Sequence, residues 1–506
     1  MNRISLKWLL PVLMVSTLAI ALCGCAGDKG SADSSSIVVG IPQDLEDSLD
    51  PHKAVAAGTK EVLFNIFEGL VKPTPDGDLI PAVASSYEIS EDGMTYTFHL
   101  REGVKFHDGT TVTAEDVKYS IDRCADTEAD VVPVAAYSNI RETSVAADGA
   151  DFVINLIEPD TEFLAYMTTA IIPKANTDSD TNPIGTGPYM FVSRSPQENF
   201  IVKKFDGYYD QANAANIENV TFKIIGDINN IAMELEAGAV DLVPRIPSAQ
   251  ADLLSGDFEV LEGTMNLVQA MYLNNTVAPF DDVRVRQALC YAIDPEEIML
   301  FVSDGKGTEL GSSMFPSFGK YYDASLNNVY NKDIDKAKSL LSEAGLADGF
   351  SFDLTVPSNY PQHVDTAQVL KDELAKIGVT ANIKQVEWNT WLSDVYSGRN
   401  FEATVVGLDA STLTAAALLQ RFTSDSPKNF INYNNPAYDD TFSRAQKAVD
   451  DSQKTQLYKE CEKILAEDAA NVYIQDLPEF VAINKKFTGY EFYPMYIQDM
   501  AKIKIR

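Results

Sequence analysis

Apolar positions along this chain change their period several times, and each change marks an element. Residues 37–41 (Ile-Val-Val-Gly-Ile) form an almost unbroken apolar run, the pattern of a strand buried on both faces in a parallel sheet. Thr95-Tyr96-Thr97-Phe98-His99-Leu100 alternates polar with apolar, which predicts a half-buried strand that Val104-Lys105-Phe106 continues. Residues 152–156 and 220–225 read as further strands, and 189–192 with 200–204 as a hairpin. Asp76-Gly77, Asp92-Gly93 and Asp148-Gly149 supply turns between them. Helical patterns run over 61–70, from an N-cap at Thr113 through Arg123, and over 228–238 with a glycine at the end.

The second half alternates more regularly. Helices are predicted over 281–293, 334–344, 363–377 and 389–397, interleaved with strands at 352–356, 379–386 and 401–406. That rhythm predicts an α/β lobe with a mainly parallel sheet.

The first 36 residues follow neither pattern. Arg3 and Lys7 precede an apolar run from Trp8 to Leu22, too short to cross a bilayer of about 30 Å as a stable helix. It reads as a signal peptide over 1–24, closed by Cys23-Gly24-Cys25. Residues 27–36 are Gly, Ser, Asp and Lys apart from Ala32, and cannot bury enough surface to order themselves. They predict a tether over 25–36.

Composition narrows the function classes. The chain has 40 Lys+Arg against 74 Asp+Glu, a net charge of -34, which argues against binding to nucleic acid or to an anionic membrane surface. The ~470 residues after the tether are enough for two or three lobes. Cys124, Cys290 and Cys461 are far apart and odd in number, so buried single thiols are expected rather than a disulfide framework. The four histidines, His52, His99, His107 and His363, show no metal-ligand spacing, and neither a GxSxG elbow nor a GxxxxGK[ST] phosphate loop occurs. No cofactor, metal or catalytic activity is called for.

Several long blocks resemble the bacterial extracellular solute-binding proteins of family 5, which includes dipeptide-, oligopeptide- and nickel-binding members of ABC importers. They are Leu49-Asp50-Pro51-His52-Lys53, Leu63-Phe64-Asn65-Ile66-Phe67-Glu68-Gly69-Leu70, Tyr96 through Gly109, Thr113 through Ser120, Gly185-Thr186-Gly187-Pro188-Tyr189, Val283 through Leu289 and Ala292-Ile293-Asp294. The resemblance implies an α/β two-lobe, periplasmic-binding-protein-like fold with an extra inserted subdomain in the first lobe. Lobe I would comprise 37–56, 184–272 and 479–506, the inserted subdomain 57–183, and lobe II 274–478. The Leu-x-Gly-Cys ending likewise resembles the bacterial lipobox, which implies a diacylglyceryl group on Cys25 and anchoring at the outer face of the cell membrane.

What the resemblance implies for the site is residue-specific. Peptide-binding relatives hold an extended ligand partly through main-chain groups, which here belong to Val55, Ala56, Ala57 and Gly58; a plain loop is the competing reading. Trp388, in Glu387-Trp388-Asn389-Thr390-Trp391, matches a tryptophan that lines the cavity, with a core position as its alternative; Trp391 fits either. Tyr137 lies where relatives place a cavity tyrosine. Relatives typically carry Gly-Trp-x-x-Asp where this chain has Gly407-Leu408-Asp409-Ala410-Ser411. Leu408 thus replaces the aromatic residue and Ser411 the carboxylate that neutralises a peptide amine. Asp409 lies two residues earlier and on the same face of a strand, so it can take over that role or serve as a turn residue. His99 and His107 are expected to be structural. The implied partners are a peptide or another small polar solute or metal chelate, an ABC permease with its ATPase, and the membrane through the lipid only, with the protein acting as a monomer. A surface sensor or adhesin on the same scaffold is the alternative.

Overall fold

The computed structural model describes residues 35–46, 48–147, 149–227, 230–410 and 412–506. The leader, the tether with Cys25, and Ser411 lie outside the described residues. Two mixed sheets form the two lobes, and a third, antiparallel sheet forms a subdomain beside the first lobe.

In the first lobe, strand Ser36–Ile41 pairs in parallel with Asn219–Ile224 on one side and Leu242–Val243 on the other. Ile37 and Val39 are completely buried, as the unbroken apolar run requires. The seven strands lie in the order Phe258–Thr264, Pro478–Asn484, Leu242–Val243, Ser36–Ile41, Asn219–Ile224, Asn199–Lys204 and Tyr189–Ser195. The second lobe's sheet runs Thr308–Glu309, Asn471–Asp476, Leu267–Leu273, Ala403–Asp409, Phe350–Pro357 and Val379–Val386. Its parallel pair Phe350–Pro357 and Val379–Val386 is joined by helix Pro361–Ala375, a βαβ unit. Strands Ala84–Ile89, Thr95–Leu100, Asp151–Leu156 and Ile140–Val145 make the subdomain's sheet, over which helix Ala114–Ala125 packs. The capping box expected at its start is present, Thr113 and Asp116 bonding reciprocally.

The chain crosses between lobes at Thr264–Leu267 and returns at Asp476–Pro478. These crossings are tied to each other. Met265 N–H donates to the Leu477 carbonyl at 2.8 Å, and Leu267 N–H to Asp476 Oδ1 at 3.1 Å. A pair of short, mutually bonded crossings is the usual anatomy of a hinge.

Three expected elements differ. The helix predicted over 61–70 is instead Ala57–Leu63. Beyond it, the carbonyls of Asn65 and Ile66 accept the N–H groups of Tyr189 and Gly187 at 3.0 and 2.9 Å, so they leave the helical ladder. Gly187 must be glycine for this approach, since a Cβ there would sit 2.6 Å from the Asn65 oxygen. Residues 104–106 form only a single bridge, Lys105 to Thr111, because Gly103, at φ +75°, turns the chain out of the sheet. The helix expected over 389–397 is one α turn at Trp388–Thr390 followed by a π-type segment, Trp391–Ser397. Among the described residues no helix is long and apolar enough to cross a membrane. All three of Cys124, Cys290 and Cys461 are free and buried.

Candidate ligand-binding site

A cavity of about 820 Å³ lies where the subdomain and first lobe face the second lobe. That volume suits a small solute or short peptide. One wall comes from the start of the chain and the subdomain, including His52, Ala54, Lys60, Phe64, Pro133 and Tyr166. The opposite wall is Thr412, Ala416, Ala417, Gln420, Lys428 and Lys447, and Tyr496 closes one side.

The first wall is rigid because its polar groups are already engaged. The His52 ring bonds the Ala170 carbonyl at 2.8 Å through Nε2 and meets Arg123 Nη1 at 3.1 Å, while Arg123 clamps Asp50 at 3.1 and 2.8 Å. Burial pulls the His52 pKa below its ordinary value, so this ring stays neutral. Glu68 is similarly occupied: its Oε1 accepts from Lys72 Nζ at 3.0 Å, Tyr208 Oη at 2.7 Å and Tyr209 Oη at 3.2 Å. Neither group is a free ligand handle. Near the hinge, Arg245 holds Glu61 in a two-pronged pair at 2.8 and 2.6 Å and lies over the Tyr496 ring, which fixes that tyrosine at the cavity's edge.

The opposite wall is different. Strand Ala403–Asp409 ends at Asp409, which pairs with Leu267 across the sheet beside the first crossing. Leu408 is buried in the lobe's core, and Asp409, the next residue, is half-buried on the other face of the strand. Its charge reaches Tyr496, whose hydroxyl is held above the ordinary tyrosine range, first by burial and then by Asp409. Among the described residues no cation forms an ion pair with the Asp409 carboxylate. A half-buried carboxylate without a cation, whose charge is felt by a tyrosine of the cavity wall, is suited to receive an ammonium group.

The other expected site residues are placed as follows. Val55, Ala56 and Ala57 are exposed and do not line the cavity, although Ala54 and Lys60, which flank them in sequence, do. The N–H groups of Val55 and Ala56 both donate to Glu46 Oε2 at 3.0 Å, so this edge already has an internal occupant. Trp388 is half-buried on the second lobe, outside the cavity wall, stacked on Trp391 at 5.1 Å and meeting Tyr360 edge-on. Trp391 is a core residue: it is 2 % exposed and its indole N–H donates to Thr404 Oγ1 at 2.9 Å. Tyr137 is also a core residue rather than part of the wall. Its hydroxyl is consumed by the Tyr166 carbonyl at 2.8 Å and Thr169 Oγ1 at 2.7 Å, although its neighbours Ala136 and Ser138 do line the cavity. His107 bonds the Gly187 carbonyl at 3.0 Å and His99 pairs with Asp151 at 2.8 Å, both structural contacts. Lys60, Lys428, Gln420 and Tyr496 belong to the wall but stand in no motif, and nothing in local pattern marks them. Among the described residues no group of three His, Cys, Asp or Glu side chains could hold a metal ion.

Comparison with known proteins accords with this geometry. Residues 78–430 match the model of the bacterial extracellular solute-binding proteins, family 5. The glutathione-binding protein GsiB of Salmonella typhimurium is 30% identical over 507 residues, covering 96% of each chain, and its counterpart in Escherichia coli O1:K1 / APEC is 30% identical over 504 residues. Among solved structures, the substrate-binding protein CtaP of Listeria monocytogenes superposes with a TM-score of 0.84 at 25% identity, covering 94% of this chain and 99% of its own. A dipeptide-binding protein of Pseudoalteromonas sp. SM9913, solved with Met-Leu, gives 0.77 at 25% identity, covering 93% and 100%.

Proposed function

We propose that this chain, which belongs to the bacterial extracellular solute-binding proteins of family 5, captures short peptides between its lobes and delivers them to the permease of an ABC importer. The observation that carries the peptide reading is Asp409. Its charge reaches Tyr496 of the cavity wall, no ion pair among the described residues neutralises it, and it occupies the segment that resembles the one in which peptide-binding relatives place their amine partner. A peptide ammonium entering a closed cleft needs such a partner, because an unpaired buried charge is costly. GsiB, matched over nearly the whole chain, is named for a tripeptide ligand, which supports the same class.

The wall chemistry sets how the ligand acts. His52 and Glu68 are satisfied by protein groups, so they contribute shape, while Lys60, Lys428 and Lys447 of the wall, and Asp409 near Tyr496, contribute charge. A ligand touching both walls binds the closed form better than the open one, and closure follows from that difference alone. No reacting group is required, and the chain acts by binding.

Mass spectrometry of small molecules released from the purified protein, with a thermal-shift screen of di- to pentapeptides, tests this reading. Peptides are expected to co-purify or to raise the melting temperature. If only a non-peptide solute does so, the peptide reading fails and the solute-binding assignment stands. We also propose that Cys25 carries a lipid that holds the protein at the outer membrane face. Cys25→Ser is expected to release it into the soluble fraction, and unchanged membrane retention would count against the lipid.

A further inference from the structure

The cavity reverses the charge balance of the chain around it. Its lining carries the lysines Lys60, Lys72, Lys428 and Lys447 and the acids Glu68, Glu158 and Asp160. Lys72 is held by Glu68 at 3.0 Å, and the charge of Asp160 is answered by Lys454, which does not line the cavity. Among the described residues Lys60, Lys428 and Lys447 form no ion pair, which leaves Glu158 as the one lining carboxylate to set against them. The chain as a whole has 74 acidic residues against 40 basic ones and repels an anion at a distance. A cleft lined by an excess of one sign concentrates its field on whatever enters, so this lining favours an anion where the rest of the surface opposes it.

The lysines are also placed to act on closure. Lys428 and Lys447 belong to the second lobe's wall beside Gln420 and Gln446, while Lys60 stands on the opposite wall. With the cavity empty, like charges on the two walls oppose closure. An anionic group between them removes that repulsion and adds attraction, so it binds the closed form better than the open one. Lys60 and Lys447 each lie in the last turn of a helix, where the helix dipole also favours a cation. Lys428 lies in a turn outside any helix and has no such reason to be there. Partial desolvation and, after it, the charge of Arg421 hold its ammonium below the ordinary lysine range. Resting on the peptide reading above, we propose that Lys60, Lys428 and Lys447 select peptides with acidic side chains, whose carboxylates bridge the two walls.

Glutamate and glutamine match in size and differ in charge, which isolates the effect. Ordinary α-linked tripeptides of alanine, with one or the other at the first, second or third position, are titrated calorimetrically into the wild-type protein. The glutamate form is expected to bind about five- to tenfold tighter at one position or more, the scale of one charge-assisted contact in a partly desolvated site. Lys428→Gln, at an exposed position, is expected to shrink that gap by weakening the glutamate form alone. Glutamine forms as tight as glutamate forms at all positions, or a gap that Lys428→Gln leaves unchanged, would overturn the acidic-cargo proposal and leave the peptide reading standing. Failure of all these tripeptides and of trialanine to bind would remove the peptide reading and this proposal with it.

Discussion

Tyr458 of the second lobe donates its hydroxyl to the carboxylate of Glu162, a residue of the inserted subdomain, at 2.6 Å. The same carboxylate accepts the N–H groups of Ala415 and Ala416 at 3.0 and 3.3 Å, at the start of a short helix whose next residue, Ala417, lines the cavity. Burial raises the pKa of Glu162 and that of Tyr458 as well. The lobes are therefore joined by a side-chain clasp that is separate from the two chain crossings.

Removing the clasp should loosen the closed arrangement. Glu162→Ala deletes three accepted hydrogen bonds and is expected to cost about 1–3 kcal/mol. Amide hydrogen exchange at Ala415 and Ala416 should accelerate, with a lower melting temperature. Unchanged exchange at both positions would show that the clasp does not hold the lobes.

The hinge carries a pH dependence of definite sign. Burial pushes the Asp476 carboxyl up to about 8, with its Oδ1 taken by Leu267 N–H and its Oδ2 without a partner. The unfolded carboxyl titrates near ~3.9, so between about pH 4 and 8 the folded chain binds the extra proton. The stabilisation from that proton is complete below the lower value and is lost as pH rises to the upper one. Glu462, also pushed up to about 8 by burial, contributes in the same direction. Asp476→Asn is expected to melt progressively higher than wild type as pH rises from 5 to about 8, in paired thermal scans. A difference that does not change with pH would disprove the assignment.

The stacked tryptophans separate by stability. Trp391→Ala empties a closed site and breaks the bond to Thr404, an expected loss of about 3–5 kcal/mol. Trp388→Ala removes a half-buried ring and should cost clearly less. Urea unfolding midpoints check the order, and a smaller shift for Trp391 would contradict the core placement.

How much was legible follows from what each signal depends on. The buried strand at residues 37–41, the capping box at Thr113 and the βαβ unit around helix Pro361–Ala375 were readable because period and capping are local properties. The helix expected over 61–70 stops at Leu63 because Gly187 and Tyr189, more than 100 residues away, take its carbonyls, which no local window contains. The site divides in the same way. Asp409 stood out by its offset from a familiar segment. Likeness of position puts Tyr137 in the cavity and leaves Trp391 open between cavity and core; both lie inward, where Tyr166 and Thr169 satisfy the first and Thr404 the second. Lys428 and Glu162 gain their meaning only from neighbours brought by the tertiary fold.

The account turns on whether a peptide binds between the lobes with its amine on Asp409. Isothermal titration of trialanine and its N-acetyl form into wild type and Asp409→Asn measures this directly. The prediction is saturable one-to-one binding, with the acetylated peptide weaker by about tenfold or more in wild type and that gap lost in the variant. No saturable heat with either peptide, or an equal loss for both on substitution, would contradict it.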